Sequence, residues 1–81
     1  MHNSDIEEKT ATVFRQVFPE IGNEPLDFDR AQNSFENWDS FAHLELVGAL
    51  EGEFGISFSL EEVASITTPR GFVEKIAKKV V

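Results

Sequence analysis

Ser40 and His43 stand three positions apart in the run Trp38-Asp39-Ser40-Phe41-Ala42-His43-Leu44, with Asp39 directly before the serine. A Ser/His pair at that spacing shares one helical face, the raw material of nucleophilic hydrolysis. Hydrolysis also needs an oxyanion hole and a third group to orient the histidine. Nothing in the chain supplies that arrangement, so no catalytic residue is assigned and His43 is expected to be an exposed helix residue. Calcium binding is a second chemistry, and Asp27-Phe28-Asp29-Arg30-Ala31-Gln32-Asn33 is its best acidic loop. That loop fails at its fifth position, lacks the turn glycine and has Trp38 where the closing glutamate belongs, so no metal ligand is assigned. The third chemistry is a phosphate ester on Ser40. A hydroxyl at the start of a helix lies beside unpaired N–H groups and the positive end of the helix dipole. Without a wider pattern, plain N-capping by Ser40 or Asp39 is the commoner use of such residues.

The elements that position this serine follow from spacing. Ser4 and Glu7 are spaced as a capping box, opening a first helix with Ile6, Val13, Phe14, Val17 and Phe18 as its apolar stripe and Pro19 as its end. From Glu20 to Trp38 turn formers dominate: Gly22, Asn23, Pro25, Asp27, Asp29, Asn33 and Asn37. A loop of this length is uncommon in a compact domain. It carries Leu26, Phe28, Phe35 and Trp38, which predicts a segment packed across the other helices with a short helical turn. A second helix is predicted from Asp39 or Ser40 to Phe54, with Leu44, Leu46, Val47, Leu50 and Phe54 inward and Gly55 as a left-handed C-cap. Ser59-Leu60-Glu61-Glu62 is another capping-box spacing and opens a short third helix through about Ala64. Thr68-Pro69 reads as an N-cap and first-turn proline. The fourth helix buries Phe72, Val73, Ile76 and Val80, and its Lys75, Lys78 and Lys79 suit the negative end of the dipole. The expected fold is all-α, a small four-helix bundle with a long loop between the first two helices.

The chain has 81 residues and reads as one domain, residues 1–81, with a modest core. It has no cysteine, so disulfides, thiolate metal sites and a protein thiol nucleophile are excluded. The segment beginning Met1-His2-Asn3 resembles no signal peptide and no apolar run approaches a membrane span, which gives a cytoplasmic expectation without membrane insertion. Net charge is −8, and 14 of the 15 acidic residues precede position 67. Such a field disfavours nucleic acid and steers basic protein surfaces toward the acidic part, or simply serves solubility.

The stretch Asp39-Ser40-Phe41, the series Leu44-Glu45-Leu46-Val47 and the phrase Ala49-Leu50-Glu51-Gly52-Glu53-Phe54-Gly55-Ile56 together resemble the acyl carrier protein family, with Ile66-Thr67-Thr68 at that family's usual distance. The resemblance implies that Ser40 is esterified by a 4′-phosphopantetheine arm from coenzyme A, whose thiol carries acyl groups as thioesters. It implies that Asp39 helps the phosphopantetheinyl transferase hold magnesium and that Phe41, in place of the usual leucine, contacts the transferase and partner enzymes. Glu45, Glu51, Glu53 and Glu61 occupy positions that in the family meet Arg/Lys patches. The implied partners are an acyl-loading ligase or transferase and ketosynthase-type or other acyl-processing enzymes, acting on a monomeric carrier in fatty acid, polyketide or related biosynthesis. Aminoacyl or peptidyl carriers, including D-alanyl carriers, share the same fold and serine and form the alternative.

Three departures point to a specialised carrier. Ala42 stands where an acidic residue is common, Gly52 interrupts a usual glutamate run, and Gly48 stands where a bulky partner-facing methionine is frequent. Each helical glycine costs roughly 0.8–1 kcal/mol relative to alanine, so the second helix is expected to be looser than in housekeeping relatives. Leu46, Leu50, Phe58, Val63, Ile66 and Phe72 are candidates for an acyl pocket, or are simply core. Phe58 and Phe72 are large enough to fill the space, which favours a short or polar cargo.

Overall fold

The computed structural model describes residues 2–80. Four helices, α1 (Asn3–Val17), α2 (Ser40–Phe54), α3 (Leu60–Ser65) and α4 (Pro69–Lys79), form an all-α bundle, and no strand occurs among the described residues. α1 packs against both α2 and α4. Its buried stripe is Ile6, Thr10, Ala11, Val13 and Phe14. The capping box predicted from Ser4 and Glu7 does not form: α1 begins at Asn3, with His2 as an N-cap that makes no side-chain bond. An N-terminal turn in water satisfies its free N–H groups by solvation, so the side-chain cap is dispensable there.

Pro19 stops α1 as expected and opens a single 3-10 turn, Pro19–Ile21. Beyond it the loop crosses the bundle, contains a second 3-10 turn at Gln32–Ser34, and buries Phe35 and Trp38 while Leu26 and Phe28 pack partly against the core. Bonds to the start of α4 hold it down. Gln32 N–H donates to Thr67 O at 2.8 Å, and Arg70 N–H donates to Phe28 O at 2.9 Å. The Arg70 guanidinium also meets Asp29 at 2.7 Å and Glu7 at 3.6 Å, so one side chain joins loop, α1 and α4.

The interior is aromatic. Phe14 is fully buried, with ring centroids of Trp38 at 5.3 Å, Phe18 at 6.0 Å, Phe72 at 6.0 Å and Phe35 at 6.2 Å. Tilted and edge-on pairs of this kind contribute about 0.5–1.5 kcal/mol each beyond the area they bury. In a chain of this size that ring cluster fixes where the loop docks, and hence where α2 starts.

The remaining boundaries obey local chemistry. Gly55 closes α2 in the left-handed region at φ 64°, where a side chain is disfavoured. Ser59 and Glu62 complete a reciprocal capping box on α3. The Thr68 hydroxyl accepts the Gly71 N–H at 3.0 Å, one turn into α4. The predicted inward face of α2 needs one correction. Leu44 is 62% exposed, and the buried positions are Ala42, His43, Leu46, Val47 and Leu50, with Phe54 half-buried. The face is rotated because Trp38 and Phe72 occupy the space beside His43 and draw that position inward.

Candidate functional site

Ser40 is the first residue of α2 and is exposed. Asp39, in extended conformation, is the N-cap. Its Oδ1 accepts the Ala42 N–H at 2.8 Å, and its backbone carbonyl accepts the His43 N–H at 2.9 Å. The N–H groups of Ser40 and Phe41 fall within the first turn, where a helix offers no internal acceptor. They lie at the positive end of a 15-residue helix. An exposed hydroxyl beside such donors suits an oxygen ester of phosphate.

The turn is braced from within. Trp38 Nε1–H donates to His43 Nδ1 at 3.0 Å, closing an arc that brackets the serine, and the two rings stack at 5.8 Å. His43 Nε2 lies 2.8 Å from the Val63 carbonyl, which can only accept, so the imidazole is the neutral Nε2–H tautomer. His43 is therefore 9% exposed, not the exposed helix residue the sequence predicts. Its polarity is satisfied inside the fold by two groups distant in sequence, which spacing along one helix does not reveal.

Three large apolar side chains face solvent: Phe41 (72% exposed), Leu44 (62%) and Leu60 (88%). Phe41 and Leu44 lie on α2 within a turn of Ser40, and Leu60 begins α3. The sequence pattern predicts Leu44 in the core and assigns Leu60 no role. The signal for Leu44 was its four-residue spacing from Ser40, which puts both on one face.

Glu45, Gly48, Glu53 and Glu61 are all exposed. Glu51 is half-buried, and its carboxylate accepts the Phe58 N–H at 2.9 Å, so it also fixes the connector between α2 and α3. Of the six residues predicted to line a pocket, Leu46, Leu50, Ile66 and Phe72 are buried core, while Phe58 and Val63 pack partly against it. The Phe58 ring meets Phe72 edge-on at 5.8 Å.

Glu62 is held below the ordinary carboxylate pKa by the Ser59 N–H it accepts and by Lys79, whose Nζ is 2.9 Å away. The Arg70 guanidinium is pushed further up by its hydrogen bond and charge contact with Asp29, with a smaller contribution from Glu7. Both shifts belong to the scaffold and neither group adjoins Ser40 in sequence. No described helix is long and apolar enough to cross a membrane.

The family model described as phosphopantetheine attachment site matches residues 14–76, from inside α1 to inside α4. No curated protein matches the sequence.

Proposed function

The chain belongs to the phosphopantetheine attachment site family, and on that premise we propose that Ser40 is the attachment point and that the protein is an acyl carrier. Members of the family are carriers of 4′-phosphopantetheine, whose terminal thiol, when bound, holds cargo as a thioester. What supports Ser40 is its place: an exposed hydroxyl at the mouth of α2, next to first-turn N–H groups that favour a phosphodiester. Asp39 uses one carboxylate oxygen to cap the Ala42 N–H, and its carboxylate would help the transferase hold the magnesium ion used in attachment.

Phe41, Leu44 and Leu60 form the apolar part of the partner surface, and Glu45, Glu53 and Glu61 its acidic rim. Exposed ion pairs contribute about 0.2–1 kcal/mol each, so the rim sets orientation and encounter rate while leaving release fast. Gly48 offers no side chain in the middle of this surface, which restricts the set of enzymes that grip it. The edge-on packing of Phe58 on Phe72 supports a short or polar cargo, with Leu46, Leu50, Val63 and Ile66 as the walls a short chain would meet.

The carrying observation is the exposed, capped serine within the matched residues. Intact-mass measurement tests it after incubation with coenzyme A and a broad-specificity phosphopantetheinyl transferase. One added arm is expected on the parent and none on Ser40→Ala. No gain on the parent, or gain on the variant, rejects the assignment. Offering the modified protein acyl and amino acid donors with their loading enzymes then separates an acyl from an aminoacyl carrier.

A further inference from the structure

His43 is a buried imidazole that the attachment chemistry does not use, and it is bonded through both ring nitrogens. One bond reaches Trp38, two residues before Ser40. The other reaches the carbonyl of Val63, in the middle of α3. The helix on that second end is weakly held by apolar contact: α3 is six residues long and none of them is fully buried. Its other ties are polar as well. Lys79 of α4 pairs with Glu62 at 2.9 Å, and Glu51 of α2 holds the Phe58 N–H in the preceding connector.

We propose that His43 is a positioning residue, a clasp that joins the serine-bearing turn to α3 and sets how readily α3 lifts from the core. A single proton placement makes the clasp. Nδ1 must be bare to accept from Trp38, and Nε2 must carry the hydrogen given to Val63. Losing the Val63 bond leaves a part-buried carbonyl unpaired and frees an α3 backbone group tied to α2, while the aromatic cluster around Phe14 stays intact. Lifting α3 uncovers Phe58 and Val63, the two pocket candidates that only partly join the core. The use of such an opening for cargo rests on the carrier reading; the clasp itself does not.

The test is amide hydrogen exchange on the full-length unmodified chain, so its result is independent of whether Ser40 accepts an arm. Asparagine places an acceptor where Nδ1 was but cannot reach Val63, whereas glutamine places a donor where Nε2 was. In His43→Asn the Val63 and Ile66 amides, bonded to Ser59 and Glu62 carbonyls, are expected to exchange about three- to tenfold faster relative to α1, the range one buried neutral hydrogen bond supports. His43→Gln keeps them within about twofold of the parent by the same reasoning. In Trp38→Phe the α3 amides stay protected while those of Ala42 and His43 exchange faster. Equal change in the asparagine and glutamine variants, no change in either, or acceleration of every helix together overturns the clasp. Nitrogen-15 shifts of the parent imidazole give a check that needs no variant: a protonated Nε2 and bare Nδ1 are expected, and the reverse tautomer overturns it.

Discussion

Asp39 Oδ1 takes the Ala42 N–H at 2.8 Å across the turn that presents Ser40. The residue before the proposed attachment serine is thus a structural cap in addition to its proposed part in metal-assisted modification. These two roles separate by substitution. Asn caps a helix about as well as Asp, whereas Ala costs roughly 0.5–2 kcal/mol. Asp39→Asn is expected to keep parental stability in urea and lose most of the transferase rate. Asp39→Ala loses both. Full modification rates in the asparagine variant would show that the carboxylate acts only as a cap.

Gly48 and Gly52 stand in the interior of α2, and a Cβ added at either would meet nothing within 4 Å. Neither is needed for backbone conformation, since the positive-φ glycines are Gly22 and Gly55. Replacing each by alanine is expected to stabilise the chain by about 0.8–1 kcal/mol. In a domain of this size each such gain raises Tm by roughly 4–8 °C. Calorimetry reads it directly, and no rise would mean that α2 derives its order from elsewhere.

Thr10 is fully buried on α1, and its hydroxyl has no hydrogen-bond partner among the described residues. An unpaired buried hydroxyl carries a desolvation cost of about 1–3 kcal/mol. Thr10→Val, which keeps the shape, is expected to raise the urea midpoint by the equivalent of about 1 kcal/mol with an unchanged m-value. A lower midpoint would show that the hydroxyl is satisfied in solution.

α3 is expected to loosen in acid. The Ser59 N–H and Lys79 place the folded pKa of Glu62 below its ordinary value of 4.5. Folding therefore favours the ionised form, and this contribution is complete above 4.5 and lost as pH falls through the lower folded value. Amide shifts of residues 60–65 should move in that window, and Glu62→Gln should remove the transition. A transition in those amides that survives in the variant would assign the effect to another group.

Local rules carried much of this fold. Proline after α1, glycine after α2, the serine–glutamate pair on α3 and threonine–proline before α4 each act over a few residues, and each marks a helix end in the structure. Ser4 and Glu7 have the same spacing as Ser59 and Glu62 but make no box, because spacing gives only the opportunity for one. The exchange of Leu44 and His43 between surface and interior has a different origin. It depends on Trp38 and Val63 supplying the two hydrogen-bond partners of one imidazole, a tertiary arrangement that helical periodicity does not encode. The place of Ser40 at the start of α2 was legible because the turn that presents it is built from its immediate neighbours.

The docking of the long loop has a consequence for the order of folding. Its bonds run to Thr67 and Arg70, the second contact spanning 41 positions, and Trp38 stacks on Phe72 at 6.4 Å. Contacts so remote along the chain form only after the entropic cost of closing a large loop has been met, which places them late. The turn that presents Ser40 therefore gains its anchor late, once α4 has packed against the loop.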